Sequence, residues 1–123
     1  MKKVTFLLLI LFFTSTDVFA KYTQTCVVNY MTQNGWSKNY TVDVSFMTGT
    51  ELNEATNSYN YSSYSTYAII FWGEDKASVI KLSSYTACAL EVDKNCITNT
   101  YSALKGQDQD GDDWKICVSN YCY

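Results

Sequence analysis

Thr66-Tyr67-Ala68-Ile69-Ile70-Phe71-Trp72 and Lys76-Ala77-Ser78-Val79-Ile80-Lys81-Leu82, joined through Gly73-Glu74-Asp75, read as two β-strands around a turn. The first run decides the fold. A strand with one wet side alternates apolar and polar residues, but Ala68 to Trp72 leave neither face polar. The usual cause is a central strand covered on both sides, and the less common one is a bound partner covering one side.

Upstream, Cys26, Val28 and Tyr30 alternate with Val27, Asn29 and Met31, and Tyr40, Val42, Val44 and Phe46 alternate with Thr41, Asp43, Ser45 and Met47. Two alternating runs around Asn34-Gly35 signal a hairpin. A tight turn on Asn34-Gly35 would oppose Val28 to Thr41 and mismatch the faces. Opposing Val28 to Val42 and Tyr30 to Tyr40 aligns one apolar face and requires a loop with an odd number of residues, such as three or five. The other face of the second strand is polar, so this hairpin has one wet side. Between the hairpins, Glu51–Ser58 reads as a short helix capped by Thr48 or Thr50. Downstream, Trp114–Val118 alternates as a closing strand, whereas Ser83–Gly106 is polar and carries no clear pattern. The expected fold is mainly β, an antiparallel sheet forming a sandwich or barrel, with one short helix near residues 50–58 and disulfide staples.

The first twenty residues stand apart. Met1-Lys2-Lys3 is a positive start, Phe6–Phe13 an unbroken apolar run, and Val18-Phe19-Ala20 a cleavage-like end, the three parts of a secretory signal. A membrane-spanning helix needs roughly 20 apolar residues, and this run has less than half of that. The expected working unit is one domain, residues 21–123, secreted or periplasmic and without a membrane span. It holds 7 lysines against 11 acids, a formal charge of −4 against −3 for the whole chain. Such a surface repels nucleic acid and anionic membranes.

The chain has no histidine, arginine or proline. The commonest general base and zinc ligand is therefore missing, as is any bidentate guanidinium clamp on phosphate. Histidine-activated nucleophiles are excluded, paired-carboxylate chemistry stays open, and no cofactor is called for.

All five cysteines, Cys26, Cys88, Cys96, Cys117 and Cys122, lie beyond the signal. In an oxidising compartment they pair and leave one over, free to join two chains covalently. The favoured bond is Cys88–Cys96, whose short loop would contribute about 2.5 kcal/mol. Cys26–Cys117 would join the first and last strands, and Cys117–Cys122 would close a small ring.

Three segments are candidates for function. Asn57–Tyr67 mixes tyrosine, serine and asparagine, the composition of a binding surface, and makes Tyr59, Tyr61, Tyr64 and Tyr67 the candidate contacts with a protein or glycan partner. The bland alternative is a surface strand or loop with half-buried tyrosines. Asp108-Gln109-Asp110-Gly111-Asp112-Asp113 resembles a calcium loop but fails the EF-hand register, which would put Gly106 first and Cys117 twelfth. An irregular site of Asp108, Asp110 and Asp112 is the alternative to a tight turn at Asp110-Gly111, and the turn is preferred, with no metal. Trp36, Trp72 and Trp114 could stack on sugars, but Glu51, Glu54, Glu74 and Glu91 are scattered, with nothing to mark a catalytic pair. The leading expectation is an exported, non-catalytic binding protein of inhibitor or immunity type. The alternatives are a structural or adhesin-type component and a carboxylate-dependent glycan hydrolase.

Overall fold

The computed structural model describes residues 22–73, 76–83 and 103–118. The signal segment, Cys88, Cys96, Cys122, Glu74 and Glu91 lie outside them. Seven strands are present, β1 (Tyr22–Thr32), β2 (Gly35–Trp36), β3 (Tyr40–Thr48), β4 (Thr66–Gly73), β5 (Lys76–Leu82), β6 (Leu104–Gln107) and β7 (Asp113–Cys117). Among the described residues a single helix, α1 (Gly49–Thr56), joins β3 to β4. The strands pair antiparallel in the order β1-β3-β4-β5-β6-β7, and β7 returns to β1, so the six close into a barrel rather than a sandwich. Among the described residues no helix is long and apolar enough to cross a membrane.

Alternation sorts the side chains between the two faces of the wall. Cys26, Val28, Val44, Phe46, Ala68, Ile70, Ile80, Leu82, Leu104, Trp114 and Ile116 fill the interior. The opposite face of β3–β5 builds a second core from Met47, Tyr67, Ile69, Ala77 and Val79, sealed by Leu52 of α1. Strand β4 is thus covered on both sides from Thr66 to Ile70, by the barrel interior and by the helix, whereas Phe71 and Trp72 at its end are exposed. On the uncovered side of β1 and β3, Thr25 donates to Asp43 across the strands at 2.7 Å, as a wet face should.

The helix follows from its first turn. Thr48 accepts from the Glu51 N–H and Glu51 accepts from the Thr48 N–H, a reciprocal capping box. It starts and ends two residues before the expected Glu51–Ser58, because Thr48 is the cap. A Cβ on Gly49 would collide with the Ser62 carbonyl, so only glycine lets the tyrosine-rich segment lie against the helix start.

The first hairpin keeps the expected faces in a different register. Val28 faces Tyr40 and Cys26 faces Val42, two residues from the expected pairing. The shorter connection folds into a small hairpin of its own, in which β2 pairs with the end of β1 as Thr32–Gly35 and Met31–Trp36.

Strands β5 and β6 share two pairs only, Lys81–Gln107 and Leu82–Gly106. Further along β5, the Gln109 side chain takes a strand's place. Its Oε1 accepts from the Val79 N–H and its Nε2 donates to the Ala77 carbonyl, each at 3.0 Å. Gly106 allows the close approach of the two strands, since a Cβ there would strike the Lys81 carbonyl.

Cys26 is a free thiol, 3% exposed in the barrel interior. Cys117 pairs opposite Val27 and so shares its face, the other side of the wall from Cys26. That geometry rules out the Cys26–Cys117 bond. It also withholds Cys26 from any covalent dimer.

Two outcomes follow. Gln109→Ala should lower stability by about 1–3 kcal/mol in urea denaturation, because two backbone groups of β5 lose their partner. Burial, and then the Asp43 carboxylate, push the Cys26 thiol from 9.0 up to about 12. The unfolded chain releases this proton first, so stability should fall as pH rises from about 9 towards 12. Cys26→Ala should reduce that alkaline loss in denaturant titrations at pH 8 and pH 11, and a thiol reagent at pH 8 should leave native Cys26 unlabelled.

Candidate functional site

At one end of the barrel four aromatic side chains form a closed circuit. Tyr30 and Tyr40 stack with centroids 6.1 Å apart, Tyr40 meets Trp72 edge-on at 5.9 Å, Trp72 lies 6.1 Å from Trp114, and Trp114 lies 5.3 Å from Tyr30. With Asp112 they line an open cavity of about 330 Å³.

Each ring is placed by a backbone feature. Tyr30 and Trp114 are directly opposed where β1 meets β7. Tyr40 begins β3 across from Val28. Trp72 sits at a β-bulge, where the β4–β5 register shifts between Phe71 and Gly73. Such bulges re-aim a side chain, and here the indole is held by its N–H donating to Ser78 Oγ at 2.9 Å. The Tyr40 hydroxyl, by hydrogen bonding and then by charge, raises the Tyr30 phenol above its ordinary value, with burial adding and Lys38 opposing.

The turn between β6 and β7 locks the fourth ring. Asp108 Oδ1 accepts from the backbone N–H of Asp110 at 2.8 Å and of Asp112 at 3.0 Å, while Oδ2 accepts from the Trp114 indole N–H at 2.9 Å. Oxygens of Asp108, Asp110 and Asp112 come within 4.8 Å of one another. Asp108 holds the turn and the indole. Of these three residues, Asp112 lines the cavity.

The candidate tyrosines separate into two kinds. Tyr59 is 99% exposed and Tyr64 96%. Tyr61 packs on the outer core edge-on to Tyr67, and burial, then Tyr67, raises its pKa. Tyr67 is buried, its hydroxyl accepting from the Ser62 N–H at 2.9 Å. The segment is pinned to α1 by Asn53, whose side chain donates to the Tyr61 carbonyl and accepts from the Tyr61 N–H, both at 2.9 Å. A cavity of about 510 Å³ lies between helix and segment.

Of the three tryptophans, the structure brings Trp72 and Trp114 together. Trp36 is elsewhere, with Lys115 Nζ 4.6 Å from its ring centroid, on a separate cavity of about 430 Å³ that Trp114 also lines. Among the scattered acids, Glu51 serves the helix cap. Sequence reasoning placed Tyr30 and Tyr40 on one face but not in a site, because the circuit exists only once β7 closes on β1. The chain is matched by no protein-family model, no curated protein and no solved structure.

Asp108→Ala should destabilise by about 2–4 kcal/mol, because three N–H donors lose their acceptor. Asp108→Asn should cost less, since its carbonyl can still serve the turn, but it should free the Trp114 indole and change the tryptophan emission of the folded protein.

Proposed function

We propose that the chain is an exported, non-catalytic binding domain whose ligand seat is the aromatic mouth of the barrel. The observation that carries this reading is the circuit of Tyr30, Tyr40, Trp72 and Trp114 around an open cavity, with both indoles anchored through their N–H groups. Rigid aromatic walls supply large contact area with little conformational entropy left to lose, which favours binding. The absence of histidine and arginine, the signal-like first twenty residues and the acidic balance support the same reading. In an oxidising compartment, disulfides among the other cysteines, with Cys88–Cys96 favoured, would staple the domain.

A second reading places a protein partner on Tyr59 and Tyr64, in keeping with an inhibitor or immunity-type role. Two nearly fully exposed tyrosines on a segment pinned by Asn53 favour it. Tyr61 and Tyr67 are left out of that contact because they hold the segment to the outer core.

Immobilised Lys21–Tyr123 and its variants, exposed to the exported fraction of the source cell, distinguish the two surfaces. Trp72→Ala should lower capture of the ligand at least about tenfold with the far-ultraviolet circular dichroism unchanged. Capture undiminished by Trp72→Ala and abolished by the Tyr59→Ala, Tyr64→Ala double variant would move the site to the tyrosine segment.

A further inference from the structure

We propose that the aromatic mouth takes an organic cation, a quaternary or methylated ammonium group seated among Tyr30, Tyr40, Trp72 and Trp114 with Asp112 at its side. The proposal rests on the reading of this mouth as a binding site and names the chemistry of its occupant.

Ring orientation supplies the first argument. A flat sugar stacks on one open aromatic face. Here only Tyr30 and Tyr40 are stacked, at 16°, and the other neighbours around the cavity are inclined, at 79° between Tyr40 and Trp72, 31° between Trp72 and Trp114, and 46° between Trp114 and Tyr30. Trp114 is 5% exposed, so it has little open face to offer a sugar. Inclined walls suit a rounded group, and the negative faces of several rings attract a cation whose charge is spread over methyl groups.

Charge supplies the second argument. Asp112 lines the cavity, and Asp108, Asp110 and Asp113 belong to the same turn or follow it directly. The ammonium of Lys38 already lies 5.3 Å from the Tyr40 centroid, although Lys38 does not line the cavity. An exposed lysine of the chain therefore already meets one ring of this cluster. The Tyr30 phenol, raised above its ordinary value, stays a neutral wall at physiological pH.

The ammonium group could come from a free small molecule or from a choline headgroup displayed on a surface, so both are tested. Tryptophan emission of Lys21–Tyr123 is titrated with tetramethylammonium, with choline, with the uncharged carbon isostere 3,3-dimethylbutan-1-ol and with cellobiose. Co-sedimentation with phosphatidylcholine vesicles forms a separate arm. Both ammonium compounds should bind saturably, and the uncharged isostere should bind at least about tenfold more weakly. Trp72→Ala should weaken choline binding at least about tenfold, and Asp112→Asn, a change at an exposed side chain, about threefold to tenfold. Binding to vesicles in addition to free choline would identify a displayed headgroup, and binding to free choline alone a small molecule. Equal binding of the isostere, a preference for cellobiose, or no saturable binding of either ammonium compound overturns the proposal. In those cases the binding-site reading still stands if Trp72→Ala abolishes capture from the exported fraction, and falls with it if capture is unchanged.

Discussion

The return of β7 to β1 is the constraint on which the rest of this molecule depends. Val28 faces Tyr40 of β3 on one edge of β1 and Ile116 of β7 on the other, so one residue sits in the wall where the barrel closes. Closure removes sheet edges that would otherwise offer unpaired backbone to other chains. It also turns one face of every strand inward, around an interior that a six-stranded wall leaves just large enough for side chains. The same pairing that buries Val28 and Ile116 ends at Tyr30 opposite Trp114. The mouth is therefore a continuation of the closure and not a separate addition.

Where the backbone ladder stops, two side-chain amides continue it. Gln109 presents an acceptor and a donor to Val79 and Ala77, as a neighbouring strand would, and Asn53 does the same to Tyr61. Both let an irregular segment lie on regular structure without leaving buried backbone groups unsatisfied. The two amides divide the exterior. Gln109 ties down the acidic turn behind Trp114, and Asn53 ties down the segment that carries Tyr59 and Tyr64.

Much of this architecture is legible in the sequence, for physical reasons that also set the limit. The doubly apolar run Ala68–Trp72 announces a strand covered twice, but it does not say that one cover is a barrel interior and the other is Leu52 of α1. Alternation assigned the faces of β1 and β3 because parity is all it measures. It could not separate Val28 opposite Val42 from Val28 opposite Tyr40, since both match apolar with apolar. The helix cap stayed open between Thr48 and Thr50, and the reciprocal bonds of Thr48 and Glu51 decide it. Closure was legible only as one of two alternatives, sandwich or barrel, with Trp114–Val118 as the closing strand. β6, with Lys105, Gly106 and Gln107, has little strand character, and pairing β1 with β7 is a contact across almost the whole domain. The candidate site shares that limit. Trp72, Trp114, Tyr30 and Tyr40 could each be noticed, but only closure and the bulge at Trp72 bring them together. Conversely, the tyrosine-rich segment looked uniform, and only burial separates Tyr61 and Tyr67, which hold it, from Tyr59 and Tyr64, which it displays.

The mouth is also where the fold departs from its own regularity. A bulge interrupts the β4–β5 ladder at Trp72, and an indole 38% exposed remains at the barrel end. Stability alone would favour continuing the ladder and covering or replacing that ring. Instead Ser78, a buried hydroxyl on an inward-facing position of β5, is used to hold it. Asp108 does the equivalent for Trp114 from the opposite side of the cavity. A polar group inside an apolar wall is tolerated when it is hydrogen-bonded, and Ser78 is spent on fixing a ring instead of completing the core. Anchoring the Trp72 indole through its only donor leaves its exposed ring as a surface available to a ligand, while Trp114 is held as a buried wall. An arrangement that restrains aromatic walls from behind and leaves the space between them open is what pre-organised recognition of an apolar or cationic group requires.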